Sequence, residues 1–221
     1  MFTGVVMNIR AVFFDFGNVL IAFDFRRFIT KFATHTGVAP EAVHEVLIPP
    51  QYGYTQFFQD FECGLIGPGK FFHELTSMLG VSARIDFATF AIMWADIFLR
   101  ENDALDALLG KITRQKFILS NINMLLYTRC MAECMLIKKH FPLNEQRILS
   151  YRVGAIKPNH PIYHHAFQRA NVPPEECLFV DDRPENIAAW QALGGHGILY
   201  DAHVDSTEAL EAKLEKFGVF A

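Results

Sequence analysis

The stretch that decides the fold is AVFFDFGNVL, residues 11–20. Its first four residues, Ala11–Phe14, are apolar and run directly into Asp15. Runs this short and this apolar are typical of strands that are buried on both faces of a parallel sheet. The pattern therefore predicts a buried strand that ends on a carboxylate, where the chain leaves the sheet in a tight turn.

Four further runs of this kind follow along the chain. They are residues 117–119 before Ser120 and Asn121, residues 148–149 before Ser150, residues 178–180 before Asp181 and Asp182, and residues 198–200 before Asp201. Helical patterns lie between them, for example over residues 103–112 and 162–170. Alternation of strands and helices indicates βαβ units, and so predicts an α/β fold with a Rossmann-like, doubly wound parallel sheet.

The polar residues that follow these strands are expected to meet. In a doubly wound sheet, ligands bind beyond the carboxyl ends of the strands. The sequence therefore predicts one crevice that contains Asp15, Ser120, Asn121, Asp181 and Asp182.

The interval after the first strand is far too long for a single crossover helix, since about 100 residues separate it from the next strand. This interval is rich in Phe and has helical spacing over residues 25–33, 40–47 and 71–79. We interpret residues 23–100 as an all-helical cap inserted into a core formed by residues 1–22 and 101–221. Gly64 and the segment 67–69 predict a loop within the cap that approaches the site.

Composition narrows the function classes. The formal net charge is −4, and the longest basic patch is residues 138–140, which argues against a chain that binds nucleic acid. No apolar run approaches the roughly 20 residues that cross a bilayer, and residues 1–7 have no basic n-region of a signal peptide. We therefore expect a cytoplasmic protein without nucleic-acid or membrane partners; the composition leaves the oligomeric state open.

The cysteine pattern agrees with the expected cytoplasmic location. The four cysteines have neither CxxC spacing nor the density of a disulfide scaffold, so reduced thiols are expected. Cys130 and Cys134 lie four residues apart on a predicted helix, but no second ligand pair accompanies them, and we interpret them as packing residues.

The crevice residues suggest phosphoryl chemistry. Asp15 can act as a nucleophile, but a free carboxylate is a weak one and repels an anionic phosphate unless a cation neutralises both. Asp181 and Asp182 supply the hard oxygen ligands that Mg²⁺ prefers. The sequence thus predicts a Mg²⁺ site beside a nucleophilic aspartate.

Three more residues complete the predicted site. Lys157 can place a fixed ammonium beside the nucleophile and the transferring phosphoryl group. Ser120 and Asn121 can donate hydrogen bonds to the phosphoryl oxygens of a small phosphorylated substrate.

Taken together, these residues identify the chain as similar to the haloacid dehalogenase (HAD) superfamily. Four motifs of that superfamily resemble, in order, residues 13–20, 119–121, 157–158 and 179–183. The segments 24–26, 62–66 and 182–186 resemble a subgroup that includes sugar-1-phosphate phosphatases and the phosphatase domain of soluble epoxide hydrolases.

The resemblance implies further details of the mechanism. Mg²⁺ would be held by the carboxylate of Asp15, the backbone carbonyl of Gly17 and Asp182 directly, and by Asp181 partly through water. Asp15 would form a phosphoaspartate, with the helical insertion as the cap of the family. The implied activity is that of a Mg²⁺-dependent phosphatase acting on a small metabolite such as a sugar phosphate.

Gly17 departs from the pattern of most phosphatases in the superfamily, which have a second Asp there as general acid and base. Such a group is worth about 10²–10⁴ in rate. Three explanations stay open: a substrate with a good leaving group, a metal-independent 2-haloacid dehalogenase, or a weakly active binding or regulatory protein.

The cap carries two further alternatives. Its Phe-rich stripe, including residues 57, 58, 61, 71 and 72, either packs within the cap or lines an apolar substrate pocket, and we favour packing. If a cap residue contacts the substrate, we expect it to be Glu62 or a residue of the Gly64 loop.

Overall fold

The structure, a computed structural model, describes residues 8–49 and 53–220. The predictions for residues 1–7, for residues 50–52 of the cap and for residue 221 lie outside this range. The strands are β1 (Ala11–Phe14), β2 (Ile21–Phe23), β3 (Phe98–Glu101), β4 (Gln115–Ser120), β5 (Arg147–Leu149), β6 (Cys177–Asp181) and β7 (His196–Leu199). Five of them form the main sheet in the order β5-β4-β1-β6-β7, and every pairing in it is parallel.

This sheet confirms the predicted Rossmann-like architecture, and β1 shows why its sequence is continuously apolar. It lies between β4 and β6, and all four of its residues are buried. Val12 and Phe14 pack into the hydrophobic cluster on one face of the sheet, whereas Ala11 and Phe13 pack into the cluster on the other. A strand covered on both faces has no solvent-facing position for a polar residue.

Helices cover both faces of the sheet. They are α6 (Leu105–Lys111), α7 (Met124–Glu133), α8 (Met135–His140), α9 (Ser150–Val153), α10 (His160–Ala170), α11 (Pro184–Ala192) and α12 (Thr207–Glu215). Residues of α6, α7, α8 and α12 join Val12 and Phe14 in one cluster, and residues of α10 and α11 join Ala11 and Phe13 in the other. The result is a three-layer arrangement with the sheet in the middle.

Five helices lie between β2 and β3. They are α1 (Arg26–Thr36), α2 (Pro40–Leu47), α3 (Gln56–Glu62), α4 (Pro68–Met78) and α5 (Phe87–Ala95). They enclose a separate hydrophobic cluster around the fully buried Trp94, whose ring contacts Phe28, Phe61 and Phe71 with centroid separations of 4.6, 5.7 and 5.2 Å. Several of the cap phenylalanines are therefore packing residues.

Two details of the predicted cap are wrong. Pro68 and Gly69 do not belong to the loop, because Pro68 is the first residue of α4, where its missing N–H costs no helical hydrogen bond, whereas Gly64 and Gly67 precede the helix. The insertion is also not entirely helical, since β2 and β3 pair in antiparallel fashion at its two ends. The division into a core of residues 1–22 and 101–221 and a cap of residues 23–100 stays a proposal, with which the separate cap cluster is consistent.

Two other observations concern the cysteines and the hydrophobicity of the helices. Cys130 and Cys134 are 2% exposed and lie in the hydrophobic core, as expected for packing residues. Within residues 8–49 and 53–220 we find no helix with the length and hydrophobicity that crossing a bilayer requires.

Candidate active site

The carboxyl ends of β1 and β6 bring three carboxylates together. The two strands are paired with Phe14 opposite Val180, so that the next residue of each chain segment, Asp15 and Asp181, lies at the same level at the edge of the sheet. The backbone N–H of Asp15 donates to the carbonyl of Val180 at 2.8 Å, which holds the two chain segments side by side. One carboxylate oxygen from each of Asp15, Asp181 and Asp182 lies within 4.8 Å of the other two.

Lys157 reaches this cluster from the loop after α9. Its Nζ lies 2.8 Å from Oδ1 of Asp15 and 2.7 Å from Oδ2 of Asp181, and its side chain is 1% exposed. A buried ammonium that bridges two carboxylates has few alternative positions. The structure thus places the predicted nucleophile and the predicted charge clamp in direct contact.

Asn121 holds the backbone of Lys157. Its Nδ2 donates to the carbonyl of Lys157 at 2.9 Å, and its Oδ1 accepts from the N–H of Lys157 at 2.7 Å. Both polar ends of this side chain are therefore engaged with the backbone of Lys157. Ser120 is 2% exposed and lines the same cavity, and its hydroxyl makes a long contact of 3.4 Å with the carbonyl of Asn121.

Asp181 is more tightly held than the sequence suggested. Its side chain is fully buried; Oδ1 accepts from the backbone N–H of Arg183 and from Nδ2 of Asn186, both at 2.9 Å, while Oδ2 accepts from Lys157. With both oxygens engaged, Asp181 orients Lys157 and is suited to reach an ion through water. Asp182 is only half-buried and has an oxygen available for direct contact.

Asn18 positions Asp182, a role that the sequence analysis missed. Its Nδ2 donates to Oδ2 of Asp182 at 3.1 Å, and its Oδ1 accepts from the backbone N–H of Phe23 at 3.4 Å and contacts Nε2 of His203 at 3.1 Å. Asn18 has a φ of 55°, a left-handed conformation that Asn tolerates better than most residues. An Asn directly after Gly17, where the chain turns out of β1, was the available signal.

The cluster carries more negative than positive charge. Burial raises the pKa of Asp15, and the neighbouring Asp181 and Asp182 raise it further, against the opposing effect of Lys157. Burial likewise raises the pKa of Asp182. The pKa of Lys157 is raised as well, because the attraction of Asp15 and Asp181 outweighs the effect of burial. Three carboxylates around one ammonium form an oxygen-rich site that fits a divalent cation such as Mg²⁺.

A small cavity of about 110 Å³ opens beside this cluster. From the core it is lined by Phe16, Gly17, Ser120, Asn121, Ile122 and Leu126, and from the inserted segment by Phe23, Phe25, Ile48, Tyr54, Phe58, Glu62, Ile97 and Phe98. Most of the lining is aromatic or aliphatic. Some of the cap phenylalanines thus line the cavity, whereas others pack behind it.

The structure also explains the absence of a side chain at Gly17. A Cβ at this position would lie 2.5 Å from Cε1 of Phe23, which is closer than real Cβ contacts. The ring of Phe23 therefore occupies the space into which a second aspartate would project.

The comparisons with known proteins agree with this geometry. Residues 9–194 match the haloacid dehalogenase-like hydrolase family. A D-ribitol-5-phosphate phosphatase of Bacteroides thetaiotaomicron is 30% identical over 193 residues, which cover 84% of this chain and 89% of that protein.

Solved structures show the same fold. A HAD family enzyme from Bacteroides thetaiotaomicron, crystallised as a magnesium complex, superposes with a TM-score of 0.73 at 24% identity over 92% of this chain and 98% of that one. A predicted HAD-like family hydrolase from Porphyromonas gingivalis has a TM-score of 0.73 at 25% identity over 94% of this chain and 98% of that one. With the family match over most of the chain, the chain belongs to the haloacid dehalogenase-like hydrolases.

Proposed function

We propose that this hydrolase is a Mg²⁺-dependent phosphatase that acts on a small phosphorylated metabolite of the sugar-phosphate class. The observation that carries the proposal is the buried ammonium of Lys157 between Asp15 and Asp181, beside the third carboxylate of Asp182. The similarity to a D-ribitol-5-phosphate phosphatase supports the substrate class. A mutant of the Bacteroides HAD enzyme, crystallised with magnesium and inorganic phosphate, supports the ligands.

The residues divide the chemistry between them. Asp15 attacks phosphorus and forms a phosphoaspartate, which water then hydrolyses. Lys157 keeps Asp15 oriented and stabilises the charge on the phosphoryl oxygens, and the backbone N–H of Asn121 and the hydroxyl of Ser120 donate to those oxygens. A small phosphorylated molecule as partner and the cytoplasm as location belong to the same proposal.

The cation would be held by Asp15, by Asp182 and by the Gly17 carbonyl, with Asp181 contributing through water. When bound, Mg²⁺ neutralises the charge of nucleophile and phosphate, so that an anionic carboxylate can approach an anionic ester. Asn18 and Asn186 then act as positioning residues for the two carboxylates of β6 and its following turn.

A metal-independent dehalogenase has one observation in its favour, which is the missing acid at Gly17, since halide leaves without a proton. The carboxylate cluster argues against it, because a reaction at carbon without a metal has no use for Asp181 and Asp182 beside the nucleophile. The phosphatase is therefore the better proposal.

The test is a panel of sugar phosphates, alkyl phosphates and p-nitrophenyl phosphate, assayed with Mg²⁺ and with EDTA. We expect Mg²⁺-dependent release of phosphate that is lost in Asp15→Asn. Asp96→Asn is the matched control, because Asp96 also pairs with a lysine, Lys31, but on the surface of the cap. Turnover retained by Asp15→Asn would contradict the mechanism, and halide release from a 2-haloacid in EDTA would favour the dehalogenase.

A further inference from the structure

Glu62 is a buried carboxyl that the proposed mechanism does not use. It is the last residue of α3, it is 4% exposed, and it lines the same cavity as Gly17 and Ser120. Its Oε1 accepts a hydrogen bond of 2.6 Å from Nδ2 of Asn123. Within residues 8–49 and 53–220, Oε2 has no hydrogen-bond partner and no cation pairs with the group.

Asn123 is held in one orientation. Its Oδ1 accepts from the backbone N–H of Leu126 at 3.2 Å, as the N-cap of α7, and from Nε1 of Trp94 at 3.3 Å. With the oxygen engaged in this way, the amide NH₂ must face Glu62. The carboxyl group is thus fixed by a neutral donor, which leaves its second oxygen free for a ligand.

The segment around Glu62 is docked on the core. The hydroxyl of Ser150 donates to the carbonyl of Glu62 at 2.6 Å. Gly64 has a φ of 71°, and a Cβ there would lie 2.3 Å from the carbonyl oxygen of Tyr151, so only glycine allows this close approach. These contacts set the position of Glu62 relative to the strand ends that carry Asp15.

The charges of Glu62 and of the nucleophile Asp15 both act on the same residue of the cavity, Tyr54. Burial raises the pKa of Tyr54, and the charges of Glu62, Asp15 and Asp182 raise it further against the opposing charge of Arg183, so this phenol lies within electrostatic reach of both sides of the cavity. Burial raises the pKa of Glu62 itself to about 7, with only the hydrogen bond from Asn123 opposing it. The other titratable neighbours on the same segment are Asp60, which is hydrogen-bonded to Gln56, and Cys63, whose pKa is also raised by burial.

We propose that Glu62 is a catalytic residue of the proposed phosphatase, acting as the general acid and base in the role that Gly17 leaves open. The inference rests on the proposed function. Phe23 blocks the usual position of such a group, and Glu62 offers a free carboxyl oxygen in the cavity where the leaving group must lie.

In the proposed reaction, Glu62 donates a proton in the first step and takes one back in the second. In the first, an oxygen of Asp15 bonds to phosphorus, the bond between phosphorus and the ester oxygen breaks, and the proton of Glu62 passes to that oxygen, so that a neutral alcohol leaves. In the second, the Glu62 carboxylate takes a proton from water as the water oxygen bonds to phosphorus and the bond to Asp15 breaks. Inorganic phosphate is released and both carboxyl groups return to their starting states.

Leaving-group dependence tests this role. An alkoxide needs a proton to leave, whereas p-nitrophenolate leaves as an anion. We expect Glu62→Gln, which keeps the shape of the side chain and an acceptor for Asn123, to lose about 10²–10⁴-fold in kcat on an alkyl phosphate and less than about tenfold on p-nitrophenyl phosphate. Asp60→Asn, on the same helix but hydrogen-bonded to Gln56, should change neither rate.

The pH profile gives a second readout. With the alkyl ester, the kcat of the wild type should fall as the pH rises through about 7, because Glu62 then loses the proton it must donate. This limb should disappear in Glu62→Gln and return, at a lower rate, in Glu62→Asp. Melting temperatures of the variants, measured alongside, identify a loss of folding.

The outcomes separate the two proposals. If the wild type hydrolyses neither ester with Mg²⁺, the phosphatase function itself fails. If the wild type hydrolyses both and folded Glu62→Gln loses the same factor on each ester, or nothing on either, the phosphatase stands and the role of Glu62 is overturned.

Discussion

Replacing Lys157 with Met should destabilise the protein strongly when no divalent cation is present. The substitution removes one ammonium from two buried carboxylates, Asp15 at 2.8 Å and Asp181 at 2.7 Å. Removing one partner of a buried ion pair costs about 3–5 kcal/mol, because the remaining charge is left uncompensated. For a chain of this size, that corresponds to a fall in Tm of about 6–20 °C.

The assay is urea unfolding in EDTA, with Lys116→Met as the matched control. Lys116 is also partly buried, but its Nζ donates to the carbonyl of Leu109 and has no carboxylate partner among residues 8–49 and 53–220, so its loss should cost only about 1 kcal/mol. The effect of Lys157→Met should shrink as the pH is lowered from 8 to 5, because burial raises the pKa of Asp15 and its protonation removes part of the uncompensated charge. A loss below about 1 kcal/mol, or one that is independent of pH, would refute this account of the site.

Three further predictions concern the same region. Mg²⁺ at about 100 times its Kd should stabilise the wild type by about 2.7 kcal/mol in calorimetry, and an equal effect in Asp182→Asn would contradict the ligand assignment. In EDTA, the free energy of unfolding should rise by about 1–3 kcal/mol as the pH is lowered from 7.5 to 5.5. The pKa values of Asp15 and Glu62 are raised in the folded state, which therefore binds more protons than the unfolded state in this range. A free energy of unfolding that does not change with pH in urea titrations would contradict these raised pKa values. Gly17→Ala should lower the free energy of unfolding by about 1–3 kcal/mol, because the new methyl group would contact Phe23. In a double-mutant cycle, Phe23→Leu should recover part of that loss. If the effects of the two substitutions simply add, the clash is not the cause.

The main sheet could be predicted because its signal is local. Each strand contains a run of apolar residues, and a polar residue follows each run, so positions such as Asp15 and Asp181 were visible without any tertiary information. The pair formed by β2 and β3 was missed for the opposite reason. These are short strands, distant in sequence, whose pairing depends on the chain returning to its starting point after five helices.

The candidate site was only partly predictable. Lys157 was expected beside Asp15, and the structure places it there. Asn121 was expected to donate a hydrogen bond to substrate, and this stays a prediction; the sequence did not indicate that its side chain holds the backbone of Lys157. The role of Asn18 was missed, because an asparagine in a turn has many possible partners and the sequence does not identify which one it meets.

The sequence by itself determined which chemical groups stand at the carboxyl ends of the strands, since the strand pattern and the residue after it are both local. Only the tertiary structure decided what these groups can do. The burial that raises the pKa of Glu62 and the contact of Lys157 with two carboxylates depend on segments far apart in the chain, and the ring of Phe23 lies over Gly17 only because of how the chain turns between them. Asp15 illustrates both points: its position follows from the strand that precedes it, whereas its charge state depends on residues that are distant in the sequence.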